Sequence, residues 1–215
     1  MLSLMGSSLK LTFGNITYMS LIDELTRKPA VELIKLAIAY YAKKYGRSVN
    51  AAVLAKLLFF IIYTDGTKLL NTPRIKLPGE FRIYSKGPSI SIDEVLGGES
   101  KMIEYGIVRT GDNYYVKGIE ESFEESYRSL VERGLRDLAE QAIKVVDEYG
   151  ALGMDDLIVR SLEALGIQGE VIKAMAFNMS LEAYMDVVRR LRSVLESKGS
   201  IDEEDLYPDL FKMIG

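Results

Sequence analysis

The chain has 215 residues, 48% hydrophobic and 27% charged, with a formal net charge of −4 and neither histidine nor cysteine. The missing imidazole and thiol exclude a Ser-His-Asp triad, a Cys-His dyad, thiolate or histidine-held metal sites and disulfides, so any chemistry has to rest on Asp, Glu, Lys, Ser, Thr or Tyr. The length suits one large domain or two small ones with a real core, and no apolar run approaches the roughly 18 residues of a membrane helix.

In chain order, Lys10 to Phe13 suits a short strand, with Gly14-Asn15 as its turn. A helical region starts at Ser20, and Thr26 with Pro29 marks a break or a second start. From Val31 to Tyr41 the apolar stripe is wide enough to be buried on most sides. Lys43, Lys44, Tyr45 and Gly46 then form a basic last turn and a glycine cap. Ser48 or Asn50 caps the next helix, which is almost wholly apolar through Ile62 apart from Lys56 and ends at Asp65-Gly66. This should be the central helix of the first half.

Residues 67–79 read as an exposed, basic, mostly irregular loop carrying Lys68, Arg74 and Lys76 together with Pro73, Pro78 and Gly79. Phe81 to Tyr84 alternates like a strand, Lys86-Gly87-Pro88 reads as a turn, and Ser91 caps a short helix stopped by Gly97-Gly98. Met102–Val108 and Tyr114–Val116 flank Thr110-Gly111-Asp112-Asn113, the clearest hairpin signal in the chain. The remainder reads as helix: one long amphipathic stretch from Glu120 to Tyr149 with Gly134 as a flaw, then Met154–Leu165, Gly169–Phe177 and a helix capped by Ser180 running through Leu195. An acidic segment, Ile201 to Ile214, closes the chain. The fold class is therefore α+β, predominantly helical, with a small sheet and hairpin in the first part.

Charge divides the chain. Residues 1–118 carry a net +6 and residues 119–215 a net −10. Either the basic half meets an electrostatic partner, or the two halves attract each other or a second copy. The boundary also outlines two parts, basic 1–118 and acidic helical 119–215, within two domains or one continuous one. Five Asn and two Gln beside abundant Glu, Lys and Arg form a composition reported for proteins of hot habitats. The opening MLSLMGSSLK lacks a basic n-region, and with no cysteine the chain reads as a cytoplasmic protein.

No constellation of catalytic residues converges. The paired acids Glu120-Glu121, Glu124-Glu125, Asp147-Glu148 and Asp155-Asp156 are neighbours on helices and point about 100° apart, so each pair reads as a solvated face. Asp202 to Asp205 lacks the glycine and spacing of a calcium loop, and Gly97-Gly98-Glu99-Ser100-Lys101 is not a phosphate loop. Arg189, Arg190 and Arg192 read as partners of the acidic tail. No catalytic residue, cofactor or metal is assigned.

Two binding readings stand. Two helices, a basic loop, a short helix and a hairpin match the element order of a winged helix-turn-helix. Lys43, Lys44, Arg47, Lys68, Arg74, Lys76, Arg82, Lys86, Arg109 and Lys117 would then neutralise DNA phosphates. Against this, the apolar helix after Asn50 offers base edges little beyond Lys56, and the hairpin tip carries Asp112 and no base. The second reading rests on short motifs. Lys56-Leu57-Leu58-Phe59-Phe60 sits in a capped helix. Phe81-Arg82-Ile83-Tyr84-Ser85-Lys86-Gly87-Pro88 follows before a short helix, and Glu148-Tyr149-Gly150 precedes a helix opening at Met154.

This order resembles the Panacea domain, a SocA-like, phage-associated family, over about residues 48–160. The family often has a histidine after the late leucine, absent here, and residues from about 166 onward have no counterpart. The resemblance implies a non-enzymatic antitoxin or adaptor binding a partner protein such as a toxin, with Lys56, Tyr84, Gly87 and Pro88 at the matching positions. Together with Lys68, Arg74, Lys76, Arg82 and Lys86 these are the candidate partner-binding residues. On the plain reading, Lys56 snorkels and Gly87-Pro88 only reverses the chain. DNA and a second copy of the chain remain further candidate partners.

Overall fold

The computed structural model describes residues 18–200; the expected strand at Lys10–Phe13 and the acidic end from Ile201 lie outside them. In chain order the elements are α1 (Tyr18–Tyr45), β1 (Val49–Asn50), α2 (Ala51–Tyr63), β2 (Thr64–Asp65), β3 (Lys68–Leu69), β4 (Arg82–Tyr84), β5 (Gly87–Ser89), α3 (Ile92–Leu96), α4 (Glu99–Glu104), β6 (Ile107–Thr110), β7 (Asn113–Val116), α5 (Ile119–Glu132), α6 (Arg136–Tyr149), α7 (Met154–Ala164), α8 (Glu170–Ala176) and α9 (Leu181–Lys198). The protein is α+β and predominantly helical, as its periodicities require. Among the described residues no helix is long and apolar enough to cross a membrane.

The chain builds these elements around α2. Asn50 caps it, its side chain accepting from the Ala52 N–H at 2.9 Å, and every residue from Leu54 to Tyr63 is buried. Helices α1, α6 and α7 pack around it, and Phe60 stacks on Tyr149 of α6 with ring centroids 4.3 Å apart. One contiguous apolar cluster runs from Ala30 of α1 to Met185 of α9, so residues of both charge halves share it. Gly150 follows Tyr149 for a steric reason. A Cβ there would lie 2.7 Å from Tyr45 Cε2, and the Tyr45 hydroxyl donates to Val146 O at 2.9 Å.

Among the described residues three small antiparallel sheets accompany the helices. The order β1-β7-β6 joins the hairpin to the strand between the first two helices. β2 pairs with β3, and β4 pairs with β5 in the register Ile83 opposite Pro88 and Tyr84 opposite Gly87.

Several boundaries differ from the sequence reading. Helix α1 continues through Pro29 without a break. Losing one backbone donor costs about 3 kcal/mol in a helix interior, and the burial of Ala30, Leu33, Ile34, Leu36, Ala37 and Ile38 outweighs it. The 67–79 loop begins with the β2–β3 hairpin. Gly87 and Pro88 belong to a strand, with Ser85-Lys86 as the turn. Met102 lies in a second short helix, α4, and the strand starts only at Ile107. The stretch from Glu120 to Tyr149 is two helices, split where Gly134 takes a φ of 76°.

Candidate functional site

Lys56 is the lone basic residue of α2 and is only 3% exposed. Its position on the helix aims the side chain at β5. In an antiparallel hairpin alternate residues turn their backbone groups away from the partner strand. The outward carbonyls here are those of the turn residue Lys86 and of Pro88 on β5, and Lys56 Nζ donates to both, at 2.8 Å for Pro88. Proline leaves no N–H to be stranded in this apolar setting. Lys56 therefore takes the place of a missing strand along the β5 edge. Burial lowers its pKa to about 7, and a neutral amine still supplies two N–H donors for two carbonyls.

Gly87 completes the clamp. Its φ is 79°, and a Cβ would fall 2.6 Å from Ser161 Oγ and 2.9 Å from Lys56 Nζ. Ser161, fully buried on α7, donates to Ile158 O at 2.9 Å. Backbone conformation and space both demand glycine here. The snorkelling reading of Lys56 is thus corrected, because the amine finds satisfied acceptors inside. Lys56, Gly87 and Pro88 are buried and cannot touch a partner directly.

The clamp holds a surface in place. β4 alternates, with Ile83 buried and Tyr84 40% exposed. The other edge of β4 is also taken: Ile83 N donates to Met179 O at 3.0 Å, Asn178 N to Ile83 O at 2.7 Å and Leu181 N to Phe81 O at 2.8 Å. With both hairpin edges closed, this surface offers side chains rather than backbone to solvent. Asn178 sits at a φ of 60°, a left-handed conformation that asparagine tolerates. This turn presents Phe177, 57% exposed, edge-on to Tyr84 with centroids 6.3 Å apart. On α8, Ile172 and Met175 are 42% and 46% exposed.

Beside these rings lies a cleft of about 560 Å³ lined by Glu80, Arg82, Tyr84, Ser89, Ile90, Ser91 and Glu94. Arg82 pairs with Glu80 at 2.6 Å and donates to Asn178 O at 3.0 Å, tying β4 to the Phe177 turn. Among the described residues no three acidic side chains gather as a metal ion would need.

The structure brings Arg82, Tyr84 and Lys86 to this hairpin, with Lys56, Gly87 and Pro88 behind it. Arg74 is elsewhere and is structural. Its N–H donates to Ile62 O at 2.9 Å and its guanidinium to Thr64 O at 2.6 Å, closing the C-terminus of α2. Lys68 lies exposed on β3, and Lys76 lines a separate cleft with Tyr63 and Glu182. Arg189 pairs with Asp186 at 3.1 Å and donates to Asn71 O at 3.0 Å. The sequence reading missed Phe177, Met175 and Ile172, since an exposed apolar residue in or just after a short helix looks like any core residue until its neighbours are known.

Much of the charge division is spent inside the molecule. Lys35 pairs with Glu125 at 3.3 Å and Lys43 with Glu120 at 2.7 Å, joining α1 to α5, while Lys44 pairs with Asp147 of α6. Lys44 holds the Asp147 carboxyl below its ordinary pKa, and the Tyr40 hydroxyl adds a hydrogen bond at 2.9 Å. On the hairpin, Arg109 pairs with Asp93, which also accepts from Tyr114 and so raises the phenol's pKa on top of burial.

Comparisons of the chain with family models, with curated proteins and with solved structures gave no match.

Proposed function

We propose that this chain is a non-enzymatic interaction protein of the Panacea antitoxin type that binds a partner protein through the β4–β5 hairpin and the turn before α9. The observation that carries the reading is the exposed Tyr84–Phe177 ring pair on a backbone whose every free edge is already satisfied. Rigid aromatic anchors on a pre-organised frame are what hot spots of protein interfaces are made of. The cleft beside them supplies a charged rim of Glu80, Arg82 and Glu94. Lys56, Gly87 and Pro88, the positions matching the family pattern, act by holding the surface rather than by contact.

The test uses the tagged full chain in its native host, beside a Tyr84→Ser/Phe177→Ser double variant. The expected result is one protein recovered with the wild type and lost with the variant. After purification it should bind the wild type stoichiometrically by calorimetry. Equal recovery by both chains overturns the surface. Recovery of no protein, beside tight duplex-DNA binding, overturns the function.

The winged-helix alternative draws on the β1-β7-β6 sheet and on Lys68, Lys76 and Lys86, which have no ion pair among the described residues. Charge opposes it. The helices preceding the hairpin carry Asp93, Glu94, Glu99 and Glu104, and Arg109 is occupied by Asp93 and Asp112. A DNA-binding protein would show an affinity falling linearly in log–log with salt, and a flat response ends that reading.

A further inference from the structure

Helix α5 carries a second surface unrelated to the ring pair. Ile119, Phe123, Tyr127 and Val131 recur at four-residue spacing, so they form one inclined ridge on the helix. The buried ridge Ser122–Ser126–Leu130 faces α1, and the first ridge lies beside it, half-buried at Phe123, Tyr127 and Val131. Among the described residues, Tyr40 and Lys43 lie over its N-terminal end, with Lys43 Nζ 5.0 Å above the Phe123 ring. Past that point the ridge lines a shallow depression of about 320 Å³ formed by Phe123, Glu124, Tyr127, Arg128 and Val131.

The charges flanking this depression are self-complementary. Glu124 and Arg128 are exposed, four residues apart, and neither has an ion pair among the described residues. A two-fold axis normal to the four-residue row that joins them, passing midway between them, sets Glu124 of each copy beside Arg128 of the other, making two identical pairs. Isologous contacts impose this reciprocity on any two-fold dimer. Four-residue ridges also interdigitate at a crossing angle of about −50°, which seats the Phe123–Tyr127–Val131 ridge of one copy in the groove of its mate.

We propose that the exposed side of α5 is the contact face of a two-fold dimer of this chain, built on the Phe123–Tyr127–Val131 ridge and closed by reciprocal Glu124–Arg128 pairs. The dimer leaves the Tyr84–Phe177 surface to the protein partner and is independent of that proposal. Sedimentation velocity of the full chain across the micromolar range tests it. The wild type should shift from monomer to dimer with concentration. Glu124→Arg and Arg128→Glu should each weaken the dimer about tenfold or more, because each reversal creates two like-charge contacts. The double variant Glu124→Arg/Arg128→Glu should restore it. Unfolding midpoints of all variants, equal to the wild type, keep the comparison clean on these exposed positions. A chain that stays monomeric, single reversals that leave the dimer intact, or a double variant that does not recover would each overturn the proposal.

Discussion

Two sets of lysines in this molecule meet polar partners in opposite ways. Lys56 is sealed between α2 and β5 and donates hydrogen bonds to backbone carbonyls. Lys35, Lys43 and Lys44 lie along α1 and reach carboxylates of α5 and α6 at the surface. The second set carries part of the charge division that dominates the sequence, yet water screens it and it contributes little energy. The first involves one formal charge, and stranding its acceptors in the interior costs far more. Visibility in the sequence and weight in the fold are inversely ordered here.

The largest expected effect breaks the buried side of this contrast. Lys56→Ala leaves the Lys86 and Pro88 carbonyls unsatisfied and opens a cavity, so unfolding in urea should show a loss of roughly 3–5 kcal/mol. Gly87→Ala should approach this, because the new Cβ enters the space of Ser161 Oγ at a positive φ. Partner binding should fall with either change, through a loosened hairpin.

Titration sharpens the same contrast. Burial lowers Lys56 to about 7 in the folded chain, against roughly 10.4 unfolded. Between those values the unfolded chain holds a proton that the folded chain lacks, so stability rises with pH. The gain reaches at most about 1.4 kcal/mol per pH unit, is absent below the folded pKa, and is complete above the unfolded one. Burial raises Tyr63 to about 12, so its own effect begins only above pH about 10. Denaturation of wild type and Lys56→Met between neutral pH and about 9 should show the wild-type slope and a flatter variant. Equal slopes would mean that Lys56 remains an ammonium in the fold.

Arg74 stands between the two extremes, half-buried over the end of α2. Arg74→Ala should cost about 1–2 kcal/mol by urea titration, whereas the neighbouring Lys68→Ala should cost almost nothing. At the surface seam, Lys43→Ala should change stability by about 0.5 kcal/mol or less, with salt reducing the difference further. A seam loss as large as that at Lys56 would reverse the ranking.

Local chemistry made much of the fold legible. Asn50, Ser91 and Ser180 each accept an N–H in the first turn of their helices, and the Gly111-Asp112 turn sets the hairpin register. The helix stops at Gly97 and Gly166 follow from their left-handed backbone. Other features were hidden because they depend on distant residues. Pro29 stays inside α1 since α5 and α6 cover the helix beyond it, and Gly87-Pro88 is a strand since Lys56, some thirty positions earlier, satisfies its edge. Of the candidate partner-binding residues, Arg82, Tyr84 and Lys86 gathered at one surface. Phe177 joined them only through the pairing of residues 178–181 with β4.

By itself the sequence determined the chain's vocabulary: that it is mostly helical, where the helices capped by Asn50, Ser91 and Ser180 start, which helix is central, and that imidazole and thiol chemistry is excluded. These follow from neighbours within a few positions and from composition, which folding cannot alter. Only the tertiary structure decided where the charges go, which lysine is buried, and which aromatic rings remain in water. Burial is a property of assembled surfaces, and no stretch of chain carries it alone.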